Sequence, residues 1–145
     1  MILRYGFKRI KIIKGSPVSA FAEDLDTPVH EDPIDEVQSN TSWIHKNCTV
    51  YRSGVPVTFS AHAYCDYSWT EGIGAQFNSV TITVTGVAFN GYSATCQSVG
   101  TTYLGSYGIW AQAQKTYTYH TEDVTFSFTV TVYCDEYGDL SINAS

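Results

Sequence analysis

The sequence predicts an all-β fold, an antiparallel β-sandwich of about six to eight strands with no substantial helix, Ig-like in size. Two stretches, Thr58–Asp66 and Ser127–Asp135, align without a gap, and both end in Tyr-Cys-Asp. In each, every second residue is apolar or Cys, an alternation typical of a strand with one buried face. No stretch keeps the i, i+3, i+4 apolar spacing of a helix. Short strands separated by turn residues therefore account for the pattern.

The first hairpin is predicted from alternation on both sides of a turn. A strand over about 42–52 leads to Ser53-Gly54, and a second strand runs from Pro56 to about Tyr67. Proline at the first position of a strand is tolerated, because no N–H is needed there. This second strand contains the first copy of the repeat.

The third strand is predicted over about 79–89, after a loop around 71–74. Its apolar phase switches at Thr85-Gly86, which indicates a β-bulge. Asn90-Gly91 is the strongest hairpin signal in the chain, since both residues tolerate the positive φ of a type I′ turn. We therefore expect the segment 92–99 to return antiparallel to the third strand.

A second long hairpin is predicted from strands at about 107–119 and 124–134, and a short strand follows the turn at about 135–139. With Thr121 and Glu122 in the turn, Ile109 lies opposite Cys134 on the buried side. Trp110 then lies opposite Tyr133 on the other face of the sheet.

Trp110, Tyr133, Gln112 and Gln114 form the candidate ligand-binding face. Flat aromatic rings stack on sugar rings, and neighbouring amides hydrogen-bond their hydroxyls. The expected partner is therefore a carbohydrate or a cell-envelope polymer. The alternative is purely structural, because a cross-strand aromatic pair of this kind stabilises a sheet by about 0.2–1 kcal/mol.

No catalytic residue is predicted, and we expect no enzyme activity. His62 and His120 are the only candidates for a hydrolase, but neither has an orienting partner or a nucleophile that the sequence reveals. His120, Glu122 and Asp123 together indicate a solvated turn, with a weak cation site as the alternative. No cofactor and no metal site are predicted, since no recognised motif is present.

Charge divides the chain into three predicted parts. Five of the eight Lys and Arg residues precede residue 15, and Ala20-Phe21-Ala22 has the small-x-small form of a cleavage site. We interpret 1–22 as a degenerate or truncated signal peptide, 23–40 as an acidic disordered linker and 41–145 as one β-sandwich domain. The alternative is a basic tail on an intracellular protein.

Partners and location follow from the same charge distribution. The predicted domain has too few basic residues for a nucleic-acid partner. No segment has the ~20 apolar residues of a membrane span. We therefore expect a secreted, extracellular protein, and leave its oligomeric state open.

Four cysteines, at positions 48, 65, 96 and 134, suit two disulfides in an exported chain. Three connectivities are possible. Zinc is disfavoured because the cysteines are scattered, whereas structural zinc sites have close pairs. The remaining alternative is that they are free buried thiols, which pack as small apolar groups.

The C-terminal part of the chain resembles a loose group of small exported β-proteins of Gram-positive bacteria whose function is uncharacterised. The resemblance rests on Phe89–Cys96, on the Tyr-rich strands after it, and on Val132–Ser141. It implies export and a β fold, and it carries over no catalytic residue. If the two cysteines of that pattern are partners, Cys96 pairs with Cys134 and leaves Cys48 to pair with Cys65.

The leading functional hypothesis is a secreted surface or extracellular binding module for a glycan or envelope polymer. The first alternative is a bacteriocin-like or toxin-like effector, suggested by size, export and cysteine content. The second is a hydrolase that uses His62 or His120.

Overall fold

A computed structural model describes residues 36–145, which contain nine strands and no helix. The strands are β1 (Gln38–Arg52), β2 (Val55–Thr70), β3 (Gly74–Phe89), β4 (Tyr92–Ser93), β5 (Thr95–Val99), β6 (Tyr103–Tyr107), β7 (Trp110–His120), β8 (Thr125–Cys134) and β9 (Leu140–Ala144). They form two antiparallel sheets that pack together, so the predicted all-β sandwich is confirmed.

One sheet has the order β1-β2-β3-β4, and the other has the order β5-β7-β8-β9 with β6 also paired to β7. The two copies of the repeat lie on β2 and β8, which are interior strands of opposite sheets. Each therefore has a neighbour on both sides and turns its apolar face into the core between the sheets.

Two of the predicted turns have the backbone geometry that their residues favour. Asn90 and Gly91 have φ of 51° and 84°, so the type I′ hairpin between β3 and β4 is confirmed. Gly86 has φ of 65°, and the β2–β3 register shifts between the pairs Thr58–Ala88 and Ser60–Thr85. The predicted β-bulge is therefore present.

The segment 92–99 does not form one strand, contrary to expectation. Tyr92–Ser93 pairs with β3, and after Ala94 the chain passes to the other sheet, where Cys96 pairs with Tyr119. Ala94 still donates its N–H to the Val87 carbonyl at 2.9 Å. The alternation of side chains continues through the crossing, so it gave no sign that the strand changes sheet.

The predicted strand 107–119 is also divided. Gly108 has φ of 67° and, with Ile109, forms a two-residue turn that places Tyr107 opposite Trp110. A residue with positive φ ends a regular strand, and glycine adopts this conformation without steric cost. The chain before the turn becomes β6, an additional strand on the edge of β7.

The predicted register of β7 and β8 is wrong by two residues. Cys134 pairs with Ala111 rather than Ile109, and Tyr133 pairs with Gln112 rather than Trp110. The loop between these strands has four residues, Thr121–Val124, in which Thr121 donates its N–H to the Val124 carbonyl at 2.8 Å. A two-residue turn would have required positive φ at Thr121 and Glu122, which the longer loop avoids. Because the error is an even number, each side chain keeps its predicted face.

Neither of the disulfides implied by the resemblance is present, because no two of the four cysteines lie at bonding distance. Cys96 and Cys134 pair with Tyr119 and Ala111 of the same strand, eight residues apart, which is roughly 26 Å at the usual strand rise. Cys48 lies on β1 near the turn to β2, whereas Cys65 lies toward the other end of β2. All four are free thiols, the alternative that the sequence left open.

The domain begins earlier than expected, since β1 starts at Gln38 rather than at residue 41. The predicted signal peptide 1–22 and most of the predicted linker lie outside the described residues. Within residues 36–145, no helix is long and apolar enough to cross a membrane.

Candidate functional site

Three aromatic rings form a continuous strip on the outer face of the second sheet. The rings of Tyr107 and Trp110 are nearly parallel, with centroids 4.8 Å apart, and the Trp110 centroid is 5.7 Å from that of Tyr133 at a tilt of 56°. Tyr107 is 51% exposed and Trp110 is 36% exposed. We call these three residues the aromatic strip.

The strip depends on local features of β6 and β7. The Gly108-Ile109 turn places Tyr107 opposite Trp110, so their side chains share a sheet face. Gly105 then leaves room for the Tyr107 ring to fold back along β6. A Cβ added at Gly105 would lie 2.8–3.1 Å from three atoms of that ring, closer than van der Waals contact allows. The absence of a side chain at Gly105 therefore fixes the position of Tyr107.

A pocket of about 390 Å³ adjoins the strip at one end of the sandwich. It is formed by the β6–β7 turn, the end of β8, the loop after it and the start of β9. Its lining residues are Ile109, Trp110, Tyr133, Cys134, Asp135, Glu136, Tyr137, Asp139, Leu140 and Ser141. Aromatic and carboxylate groups thus occur together in one concave surface.

The three carboxylates of the pocket are held differently. Asp135 Oδ1 accepts the N–H groups of Tyr137 and Asp139, each at 2.9 Å, so it closes the loop between β8 and β9. The hydrogen bond to Glu136 raises the pKa of the Tyr137 hydroxyl, with the Glu136 charge adding to the effect. Asp139 takes part through its main chain, which pairs with Asp135. Asp135 is therefore structural, while Glu136 and Asp139 keep acceptor atoms for a ligand.

The pocket floor is chemically inert. Burial raises the pKa of the Cys134 thiol to about 12, with smaller contributions from Asp135, Cys65 and Asp139. Burial likewise raises the pKa of Cys65 to about 11. Because the thiolate is the nucleophile, neither cysteine is suited to covalent chemistry at neutral pH.

The predicted site residues are only partly brought together. Trp110 and Tyr133 line the pocket, and Gln112 pairs with Tyr133 beside it. Gln114 lies one row further along the sheet and donates to the Thr131 hydroxyl at 3.5 Å. Gln114 is thus engaged within the sheet, away from the pocket.

The two histidines considered for hydrolysis lie in separate places. His62 stacks on His45 on the outer face of the first sheet, with ring centroids 5.8 Å apart. His120 ends β7 and pairs with Thr95 and Thr125. Cys96 pairs with the next residue, Tyr119, so its side chain points to the opposite face of the sheet from His120. Neither histidine adjoins a cysteine nucleophile.

A second pocket, of about 510 Å³, lies between the β3–β4 turn and the β7–β8 loop. It is lined by Phe89, Asn90, Tyr92, Ser93, Thr121, Glu122, Asp123 and Val124. Residues 36–145 contain no group of three His, Cys, Asp or Glu side chains that could hold a metal ion. The alternative of a cation site at His120, Glu122 and Asp123 is therefore wrong.

The basic side chains of the described domain are directed to main-chain oxygens. Lys46 donates to the Ile142 carbonyl, Arg52 to those of Ser127 and Tyr51, and Lys115 to that of Ile82. None of these hydrogen bonds goes to a carboxylate of either pocket. The acidic groups beside the aromatic strip therefore face solvent without a basic partner among these contacts.

Tyr107, Glu136 and Asp139 were missed by the reasoning from sequence. The signal for Tyr107 was the Gly108-Ile109 pair, which was included within a strand although glycine often marks a turn. The acidic residues were assigned to a turn, and nothing in the sequence indicated that this turn borders the face of Trp110.

Comparison of the chain with protein families, with curated proteins and with solved structures found no match.

Proposed function

We propose that this protein is an exported binding module whose aromatic strip and adjoining pocket hold a glycan or another hydroxyl-rich envelope polymer. The observation that carries the proposal is the strip itself, with three rings at fixed spacing along an open pocket. Flat rings present apolar faces to the C–H faces of sugars, and the carboxylates of Glu136 and Asp139 accept hydrogen bonds from hydroxyls.

Exposure supports ligand binding over a purely structural role. A pair that only staples two strands gains most when its rings are covered, whereas Tyr107 and Trp110 keep 51% and 36% of their surfaces in water. No loop covers them among the contacts of the described residues. Exposed aromatic side chains next to a pocket are typical of binding surfaces.

Export is supported by sequence alone. The basic residues before position 15 and the Ala20-Phe21-Ala22 pattern resemble a signal peptide, and the resemblance to small exported Gram-positive proteins points the same way. The free thiols do not add to this support, because disulfides are the usual mark of an oxidising compartment.

A glycan array tests the proposal with a matched control in the same chain. Wild-type protein, Trp110→Ala and Trp43→Ala are applied to immobilised glycans and cell-wall polymers. Trp43 is the control because it is also an exposed tryptophan, 68% accessible, but it lies on the other sheet. We expect signals that Trp43→Ala keeps and Trp110→Ala loses. Equal binding by all three proteins would reject the strip as the site, and no binding by any would reject the proposed ligand class.

A further inference from the structure

The outer face of the first sheet carries two histidines on neighbouring strands. His45 of β1 and His62 of β2 have ring centroids 5.8 Å apart and ring planes only 20° from parallel. Both side chains point to solvent, since the inward positions on these strands are held by buried residues such as Cys48 and Phe59. Two imidazoles thus lie side by side on an open surface.

The pairing is fixed by the hairpin rather than by chance rotamers. Trp43 contacts Tyr64 with ring centroids 4.9 Å apart, and Ser60 donates to Asn47 Oδ1 at 2.7 Å. With the histidine pair, these contacts form three successive rows of one antiparallel register. The rows on either side hold the imidazoles in place from above and below.

The surroundings of the pair contain no competing charge at the adjoining register positions. The flanking rows are aromatic on one side and amide and hydroxyl on the other, and Thr83 of β3 is opposite His62. Neither ring is recorded in a hydrogen bond with a protein group. The ring nitrogens therefore keep their lone pairs for another partner.

The chemistry of such a pair suits a transition metal. Bonds from imidazole nitrogen to zinc are about 2.0–2.1 Å, so one ion can join two nitrogens about 4 Å apart. Facing rings with centroids 5.8 Å apart reach this separation by small rotations about χ2, which is a soft torsion. Imidazole favours zinc, copper and nickel, and affinity among these ions is highest for copper.

We propose that His45 and His62 form a two-imidazole binding site for a late first-row divalent metal ion, with water in the remaining coordination positions. The ion joins β1, an edge strand of its sheet, to β2. The position also distinguishes the two copies of the repeat. Thr131 occupies the place of His62 in the second copy, where it is buried, so the second copy has no equivalent site.

Calorimetric titration of the untagged full-length protein with Ni²⁺ tests the site. All variants carry Cys96→Ser, because Cys96 is an exposed thiol that could bind metal independently. His62→Thr introduces the residue of the second copy, and His45→Thr makes the matching change on β1. His120→Thr is the control, as it removes a single histidine at a distant hairpin.

We expect saturable binding near one equivalent that His120→Thr preserves and that His62→Thr and His45→Thr each weaken at least about tenfold. Binding should also weaken as the pH is lowered, since imidazole ligates only when neutral. Unchanged binding by either variant would overturn the proposal, as would the absence of binding in the parent protein.

Electron paramagnetic resonance with one equivalent of Cu²⁺ gives a readout that does not depend on folding of the variants. The expected spectrum of the parent protein shows coupling to two imidazole nitrogens, and one remains in His62→Thr. Coupling to a single nitrogen in the parent would show that the pair does not chelate, and would contradict the proposal.

Discussion

The ring of Phe59 stacks on the ring of Phe128 with centroids 4.2 Å apart, and these two residues occupy matching positions in the repeat. The repeated strands, β2 and β8, therefore pack face to face across the core. Six residues further along, Cys65 and Cys134 are both fully buried, and Cys65 contributes to the raised pKa of Cys134. Matching residues are thus near neighbours at both ends of the repeat, from which we infer that the two strands run in the same direction.

Phe128→Ala should be among the most destabilising single changes in the domain. Phe128 is 1% exposed and contacts Phe59, Tyr117 and Tyr119, so its removal leaves a cavity between the sheets. We expect a loss of about 3–5 kcal/mol in the free energy of unfolding, measured by urea denaturation. Tyr92→Ala, which removes a 73% exposed ring, should change it by about 0.5 kcal/mol or less. Similar losses for the two variants would contradict the packing described.

Only Cys96 should react with a thiol reagent in the native protein. Cys65 and Cys134 are inaccessible, and their pKa values of about 11 and 12 keep them protonated at neutral pH. Cys48 is also buried. Brief alkylation at pH 7.5 followed by peptide mapping should mark Cys96 first and the others after unfolding. A linked Cys96–Cys134 peptide, or early labelling of Cys65, would show that the cysteines are arranged differently.

Alkaline pH should destabilise the domain. The folded-state pKa values of Cys65 and Cys134 lie above the ordinary value of 9.0, so the unfolded chain releases these protons first as the pH rises. The stability that the neutral thiols contribute is complete below about pH 9 and is lost as the pH rises through 11 to 12. Tyr67 and Tyr117, whose hydroxyl pKa values are also raised by burial, act in the same direction.

Urea denaturation at pH 8 and at pH 10.5 measures this effect. We expect a lower free energy of unfolding at pH 10.5, with a smaller decrease in the Cys65→Ala/Cys134→Ala variant. The tyrosines should leave part of the decrease in place. A free energy that is constant or higher at pH 10.5 would contradict the assigned shifts.

Gly105→Ala should disturb the aromatic strip without unfolding the domain. Its new methyl group would collide with the Tyr107 ring, which must then leave Trp110. We expect a near-ultraviolet circular dichroism change like that of Tyr107→Ala, and the same loss of ligand binding. Far-ultraviolet spectra should be unchanged. If Gly105→Ala retains the near-ultraviolet spectrum of the wild type, the Tyr107 ring does not depend on Gly105.

The features that the sequence predicted well are those encoded by adjacent residues. Alternation located β2 and β8, Asn90-Gly91 located the tight hairpin, and Gly86 located the bulge. Each of these depends on a local conformational preference or on the two-residue period of a strand. For that reason, the face on which Trp110 and Tyr133 lie was predicted correctly even though their register was not.

The remaining features depend on contacts between distant parts of the chain. Nothing local shows that the chain changes sheets at Ala94, or that the loop at 135–139 borders Trp110. The stacking of His45 on His62 could have been found from sequence by registering the first hairpin about Ser53-Gly54. The disulfide pairing failed because it relied on the order of cysteines along the chain, whereas pairing depends on their positions along neighbouring strands.

The central claim is that the aromatic strip and its pocket bind a glycan, and nuclear magnetic resonance mapping tests it most directly. The ligand selected on the array is titrated into isotopically labelled protein, and the shifted amide and indole signals are assigned. We predict that the largest shifts come from the Trp110 indole and from residues at 105–112 and 133–141, and that Trp110→Ala abolishes them. Shifts confined to the opposite sheet, around Trp43 and Tyr64, would contradict the claim.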